Sequence, residues 1–167
     1  MMLDPALATT AVVITASTSL LLATLGTIMA EKSGVINLGI DGLMLVGALV
    51  GFAVAQQTGS ATAGAMAALV AGGILASIHA FLTVVLLSNQ IVTGLALNIF
   101  CTGLANFLGR NFVGQVGPRL EPIAIPGLSS IPVIGPMMSH QDGLVYGAII
   151  IALLLAIFSV IPGPAFI

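Results

Sequence analysis

Asp41 and Asn37 are the residues whose chemistry most needs explaining in this sequence. They lie in "AEKSGVINLGIDGLMLVGALVGFAVAQ", residues 30–56, where an acidic-basic pair, Glu31 and Lys32, precedes a mostly apolar run. An acid at the centre of an isolated membrane-spanning helix costs about 2.5–3.5 kcal/mol on insertion scales. It is tolerated where it faces a cavity, pairs, or sits near an interface. The spacing of four predicts that Asn37 and Asp41 share one helical face. Gly34, Gly39, Gly42 and Gly47 surround them, and glycine at this density weakens a helix. A helix broken near 35–48 would free backbone groups to line a polar pathway. The alternative is that Asp41 begins or caps a helix at the membrane surface. Gln90 and Asn98 repeat the theme, eight residues apart and so two turns along one face, with Thr93 and Thr102 beside them. They are candidates for the same pathway, or for hydrogen bonds between helices.

Other reactive residue types point to little chemistry. His79 stands without an ionisable partner in its apolar run, which favours a hydrogen-bonded core histidine over a proton relay. Cys101 is the single cysteine; it can form no internal disulfide and has no metal-ligand spacing around it, so it reads as a small apolar filler. Ser139, His140 and Asp142 are too close in sequence to imply a triad, which is assembled in space. No nucleophile elbow, zinc-protease motif or phosphate loop is present, so the chain calls for no catalytic residue, metal or cofactor.

Stepping outward, composition decides what holds these residues. Of 167 residues, 59% are hydrophobic and 5% charged, and the mean hydropathy is +1.25. A soluble domain carries about a quarter charged residues. Three basic and five acidic side chains cannot build a water-facing surface, nor a nucleic-acid one. The fold class is all-α, a polytopic membrane helix bundle. The N-terminus lacks a basic region, and the apolar run after it is long enough to span, so it does not read as a cleaved signal.

About 20 residues cross the hydrocarbon core as helix. The first charge-free run predicts a helix over 7–29, in which Thr15, Ser17, Thr18, Ser19 and Thr24 can bond preceding carbonyls or neighbouring helices. The long charge-free stretch before Arg110 holds three more, near 35–56, 61–87 and 91–109, divided by "QQTGS" at 56–60 and "SNQ" at 88–90. Residues 111–142 contain five prolines and read as a long loop outside the hydrocarbon. A fifth, short helix follows at 144–160. Small residues recur at four-residue spacing in Gly47–Gly51, in Gly64–Ala68–Gly72 and in Gly143–Gly147, which allows helix backbones to approach.

Three ordered blocks carry a resemblance. "EKSGVINLGIDGLMLVGA" (31–48), "NQIVTGLALNIFCTGLANFLGRNFVGQ" (89–115) and "IPGLSSIPVIGP" (125–136) followed by "LVY" (144–146) resemble permease subunits of ABC importers for nucleosides and simple sugars, related more distantly to ribose and branched-chain amino acid permeases. The resemblance implies one transmembrane permease domain over 1–167, paired with a second permease subunit in the cell membrane. It implies a cytoplasmic ABC ATPase as motor and an extracytoplasmic binding protein that delivers the solute. It favours the pathway reading of Asn37 and Asp41.

Departures accompany it. Such permeases are about twice as long and carry a basic cytoplasmic loop after the fifth helix, where this chain has "IFSVIPGPAFI". The sequence therefore reads as the N-terminal half of a permease, its tail a frameshifted end or a truncated product. A non-transporting fragment and a small channel or facilitator are the alternatives to a transport subunit. The resemblance places the N-terminus and the 111–142 loop outside and Glu31-Lys32 inside. The positive charges run the other way, with Lys32 inside and Arg110 and Arg119 outside; three charges weigh little, and the expected orientation follows the resemblance.

Overall fold

The charge-free runs do become helices. The computed structural model describes residues 5–121 and 141–160. Helix α1, Pro5–Lys32, starts on a proline, whose missing N–H is no loss in a first helical turn. The hydroxyls of Thr18 and Thr24 donate to the carbonyls of Ile14 (2.9 Å) and Leu20 (2.8 Å), as the sequence predicts. The helix ends where Gly34 turns left-handed, at φ +79°. There the Gly34 N–H bonds the Glu31 carbonyl and the Val35 N–H bonds the Ala30 carbonyl. This is a Schellman stop, which releases the chain in a new direction.

Helix α2, Ile40–Thr58, ends at Gly59 in the left-handed conformation. Ser60 then caps α3, Ala61–Ala80, its hydroxyl accepting from the Ala63 N–H. Helix α3 widens into a single π-helical turn, Phe81–Val85, closed by the Leu86 N–H on the Phe81 carbonyl at 3.1 Å. Leu87, at φ +52°, reverses the chain, and Ser88 ties the reversal down through its hydroxyl on the Leu82 carbonyl. The Asn89 side chain accepts from the N–H groups of Ile91 and Val92 and so starts α4, Gln90–Gly109. A short 3-10 turn, Arg110–Phe112, follows. Helix α5 is Gly143–Val160, entered by Asp142, whose carboxylate accepts from the Val145 N–H.

Among the described residues four helical runs are long and apolar enough to cross a membrane: Val12–Lys32, Ile40–Thr58, Ala61–Val85 and Gln90–Phe112, with Gly143–Ile157 shorter. The chain is a polytopic helical membrane bundle. Most of the loop expected at 111–142, namely 122–140, lies outside the described residues, as does the 161–167 tail.

The chain forms two compact units, Met1–Gly26 with Leu120–Ile167, and Thr27–Arg119. In the first, the Thr15 hydroxyl donates to Gln141 Oε1 at 2.8 Å, and Gln141, Val145 and Ala148 are buried. In the second, α2 packs along both α3 and α4. Leu43, Val46, Leu97 and Cys101 make its core, with Val50, Leu75 and Ala105 against them. Cys101 is 0% exposed, the apolar filler its surroundings predicted. The α2–α3 crossing runs on the small-residue rows: a Cβ on Gly64 would meet the Gly51 carbonyl and, at 2.7 Å, the Ala55 Cβ. Two members of the predicted rows, Gly72 and Gly147, face open space instead. Large apolar side chains point outward along α3 and α4, among them Leu69, Val70, Ile99 and Phe100, as a lipid-facing surface requires.

Candidate functional site

The polar residues singled out above gather at the joint between α1 and α2. Having left α1 at Gly34, the chain runs unwound to Gly39 before α2 begins at Ile40. Asn37 therefore lies in the break and not in a helix. The expected shared helical face of Asn37 and Asp41 does not form, because the Schellman stop and a turn at Asn37 delay the helix start. The Asn37 Oδ1 accepts from the Gly39 N–H at 2.8 Å, an Asx turn that uses the amide locally. Asp41 stands in the first turn of α2 and is exposed. A carboxylate there is favoured by the positive end of the helix dipole.

Two other helices reach the break. Gln90, the first residue of α4, accepts from the Ile36 N–H through Oε1 at 2.7 Å and donates from Nε2 to the Gly34 carbonyl at 3.2 Å. His79, near the end of α3, donates from Nε2 to the Ile36 carbonyl at 3.2 Å and is 2% exposed. Its hydrogen bond agrees with the core-histidine reading. Sequence reasoning missed that its partner is the break itself. The only pointer was its isolation as an ionisable residue in an apolar run.

Close backbone contact seats the start of α2 on α4. A Cβ on Gly94 would meet the Leu38 nitrogen at 2.7 Å, and one on Gly42 would meet the Asn98 carbonyl oxygen and Oδ1, each at 2.8 Å. Neither position has room for a side chain. Asn98 is half-buried in mid-α4 beside Gly42, and the Thr102 hydroxyl donates to its Oδ1 over a long 3.5 Å. Gln90 thus meets the break beside Asn37, Asp41 stands in the first turn of α2, and Asn98 lies further along α4 against Gly42. Two of them, Asn37 and Gln90, are bonded to backbone.

The remaining candidates offer less. A shallow groove of 590 Å³ runs along α3 past Gly73, Ser77 and Phe81, and none of the four polar candidates lines it. Among the described residues no three of His, Cys, Asp or Glu gather as a metal site requires. His140 and Ser139 lie outside the described residues.

The relatives are informative. The chain is 40% identical over 127 residues to a putative glucose ABC transporter permease protein of Haloferax volcanii, an alignment covering 75% of this chain and 36% of that protein. It is 34% identical over 151 residues to a guanosine ABC transporter permease protein of Bacillus subtilis (84% and 46%), and 32% identical over 149 residues to a nucleoside ABC transporter permease protein of Lactococcus lactis subsp. cremoris (83% and 47%). The chain thus spans less than half the length of each of these relatives. No solved structure matches it. The profile of one family matches residues 9–162, nearly the whole chain and both sides of the α1–α2 joint, and by that match the chain belongs to the family of branched-chain amino acid transport system permease components.

Proposed function

We propose that this chain is a membrane permease component of an ABC importer that carries a nucleoside or simple sugar across the inner (plasma) membrane. The observation that supports this reading is the alignment of 75–84% of the chain with permeases of guanosine, nucleoside and putative glucose transporters. The chain catalyses no reaction of its own; a cytoplasmic ABC ATPase drives it. A second permease subunit, alike or different, pairs with it in the bilayer, and an extracytoplasmic binding protein presents the solute.

The translocation path runs beside the α1–α2 joint, where Asn37, Asp41, Gln90 and Asn98 collect. Among these Asp41 is the exposed ionisable group, suited to accept hydrogen bonds from the hydroxyls of a sugar or ribose. The N-terminus is outside, Glu31 and Lys32 inside, and residues 111–142 outside, where they meet the binding protein. An enzyme reporter fused at Gly114 should behave as external.

Uptake tests the reading directly. Proteoliposomes holding this chain with the ATPase, partner permease and binding protein of its own system should take up a labelled nucleoside or hexose when ATP is supplied. Vesicles lacking this chain should not. Uptake of neither class of solute in the complete system overturns the proposal.

A further inference from the structure

Unwinding a chain inside an apolar bundle releases backbone N–H and C=O groups, and each must find a partner. At the α1–α2 joint three of them find side chains from other helices. The Ile36 carbonyl is taken by His79 Nε2, the Ile36 N–H by Gln90 Oε1 and the Gly34 carbonyl by Gln90 Nε2. Neither helix that flanks the break supplies these bonds; α3 and α4 do.

We propose that His79 and Gln90 are positioning residues, a clamp from α3 and α4 that closes the α1–α2 joint and fixes where α2 begins. Asp41 is set in place by that start. Insofar as the joint borders the solute path, the inference rests on the transport reading above; the clamp itself does not.

The chemistry of His79 is specific to this role. Its Nδ1 is buried and has no hydrogen-bond partner among the described residues. The bond to a carbonyl requires a proton on Nε2, which therefore donates. The histidine is held on its own helix by the next turn, where the buried Thr83 hydroxyl donates to the His79 carbonyl at 2.8 Å. Gln90 is equally specific. Its planar amide head accepts from one backbone group and donates to another at the same time.

Hydrogen exchange reads the clamp without relying on transport. The chain is placed in lipid nanodiscs, and deuterium uptake is followed in peptides covering 33–39 and, separately, 43–55 of α2. His79→Leu and Gln90→Leu should each speed exchange in 33–39 by tenfold or more and leave 43–55 within twofold of the parent. His79→Gln, whose amide Nε2 can donate to the same carbonyl, should stay near the parent rate. Gln90→Glu, which keeps the acceptor and loses the donor, should fall between. Unchanged exchange in both leucine variants overturns the clamp. So does equal acceleration of 33–39 and 43–55, which would mark general loosening, and so does His79→Gln behaving as His79→Leu. Uptake by the complete importer answers the separate transport question: local exchange changes in a chain that carries no solute would leave the clamp standing and the transport reading refuted.

Discussion

Adding one methyl group at Gly42 should pry α2 from α4. A Cβ there would lie 2.8 Å from the Asn98 carbonyl oxygen and 2.9 Å from the Asn98 Cα. Both are backbone atoms of a helix and cannot turn aside as a side-chain tip could. Relief requires the two helices to separate by roughly half an ångström, and forced overpacking of this kind typically costs about 1–3 kcal/mol. Alanine recovers part of that, since it is favoured over glycine by up to about 1 kcal/mol in a helix interior and by less in a first turn. Gly42→Ala should therefore destabilise the α2–α4 pair by about 1–2 kcal/mol. Gly103 in α4 has nothing within 4 Å of its would-be Cβ. The same change there should be neutral or stabilising by up to about 1 kcal/mol.

The protein carries its own reporter for this comparison. Cys101 is 0% exposed and packs with Leu43 and Leu97 between the two helices, so a thiol reagent reaches it only when the pair opens. Where closing outpaces labelling, the labelling rate follows the open population, and about 1.4 kcal/mol is tenfold. Gly42→Ala should label roughly 5–30 times faster than the parent, by that conversion. Gly103→Ala should label at the parent rate or slower. Equal rates for the two variants would refute the argument that backbone contact at Gly42 holds the pair together.

Three other outcomes follow from the same geometry. Asp41→Cys in a Cys101→Ala background should react with a charged, membrane-impermeant maleimide from one side of the membrane, while a photocrosslinker at 41 that captures lipid tails would contradict a polar setting. Gly34→Val should destabilise the chain by about 1–2 kcal/mol, the usual penalty for a β-branched residue held left-handed, measurable as a shift in the SDS unfolding midpoint by circular dichroism. A double-mutant cycle on Thr15→Val and Gln141→Leu should give a coupling of about 0.6 kcal/mol, the size found for hydrogen bonds within membrane bundles; zero coupling would mean that the 2.8 Å contact does not form in lipid.

Much of the fold was legible because charge in this chain marks where helices stop. Asp4, Glu31 and Arg110 bound the apolar runs, and the polar punctuation at 56–60 and 88–90 marks the turns found at Gly59 and Leu87. The sequence leaves the start of α2 open between a helix from near residue 35 and one that begins at Asp41, and Asp41 does stand in the first turn. The run from Val35 is apolar enough to continue a helix, and periodicity cannot register that a left-handed Gly34 and an Asx turn at Asn37 postpone it by one turn. The third helix was expected to run to 87; its regular part stops at Ala80 because the ladder widens into a π turn, which depends on tertiary seating and leaves no compositional mark. The site was half legible. Residue type singled out Asn37, Asp41, Gln90 and Asn98, while the joining of Gln90 and His79 to one backbone segment is a contact across 43 to 56 positions of sequence.

The late start of α2 also changes what Asp41 means. Gly39 sits against Gly94, and Gly42 against Asn98, so α2 and α4 run parallel with α2 beginning about one turn further along. Since α4 starts at Gln90, Asp41 stands roughly 10 Å beyond the first residue of α4 at 1.5 Å per residue. The helix dipole favours a carboxylate there by about 0.3–1 kcal/mol, less than the 2.5–3.5 kcal/mol that insertion scales assign to an acid at a helix centre. The dipole alone would not offset an acid at a helix centre, whereas Asp41 stands exposed in the first turn of α2. Among the described residues no hydrogen bond joins Asn37 to Asp41; the Asn37 Oδ1 accepts from the Gly39 N–H. Both ends of the Gln90 amide are engaged by the break. On the proposed transport reading, an exposed acid in the first turn of α2 is placed to meet a solute group that comes from outside the bundle.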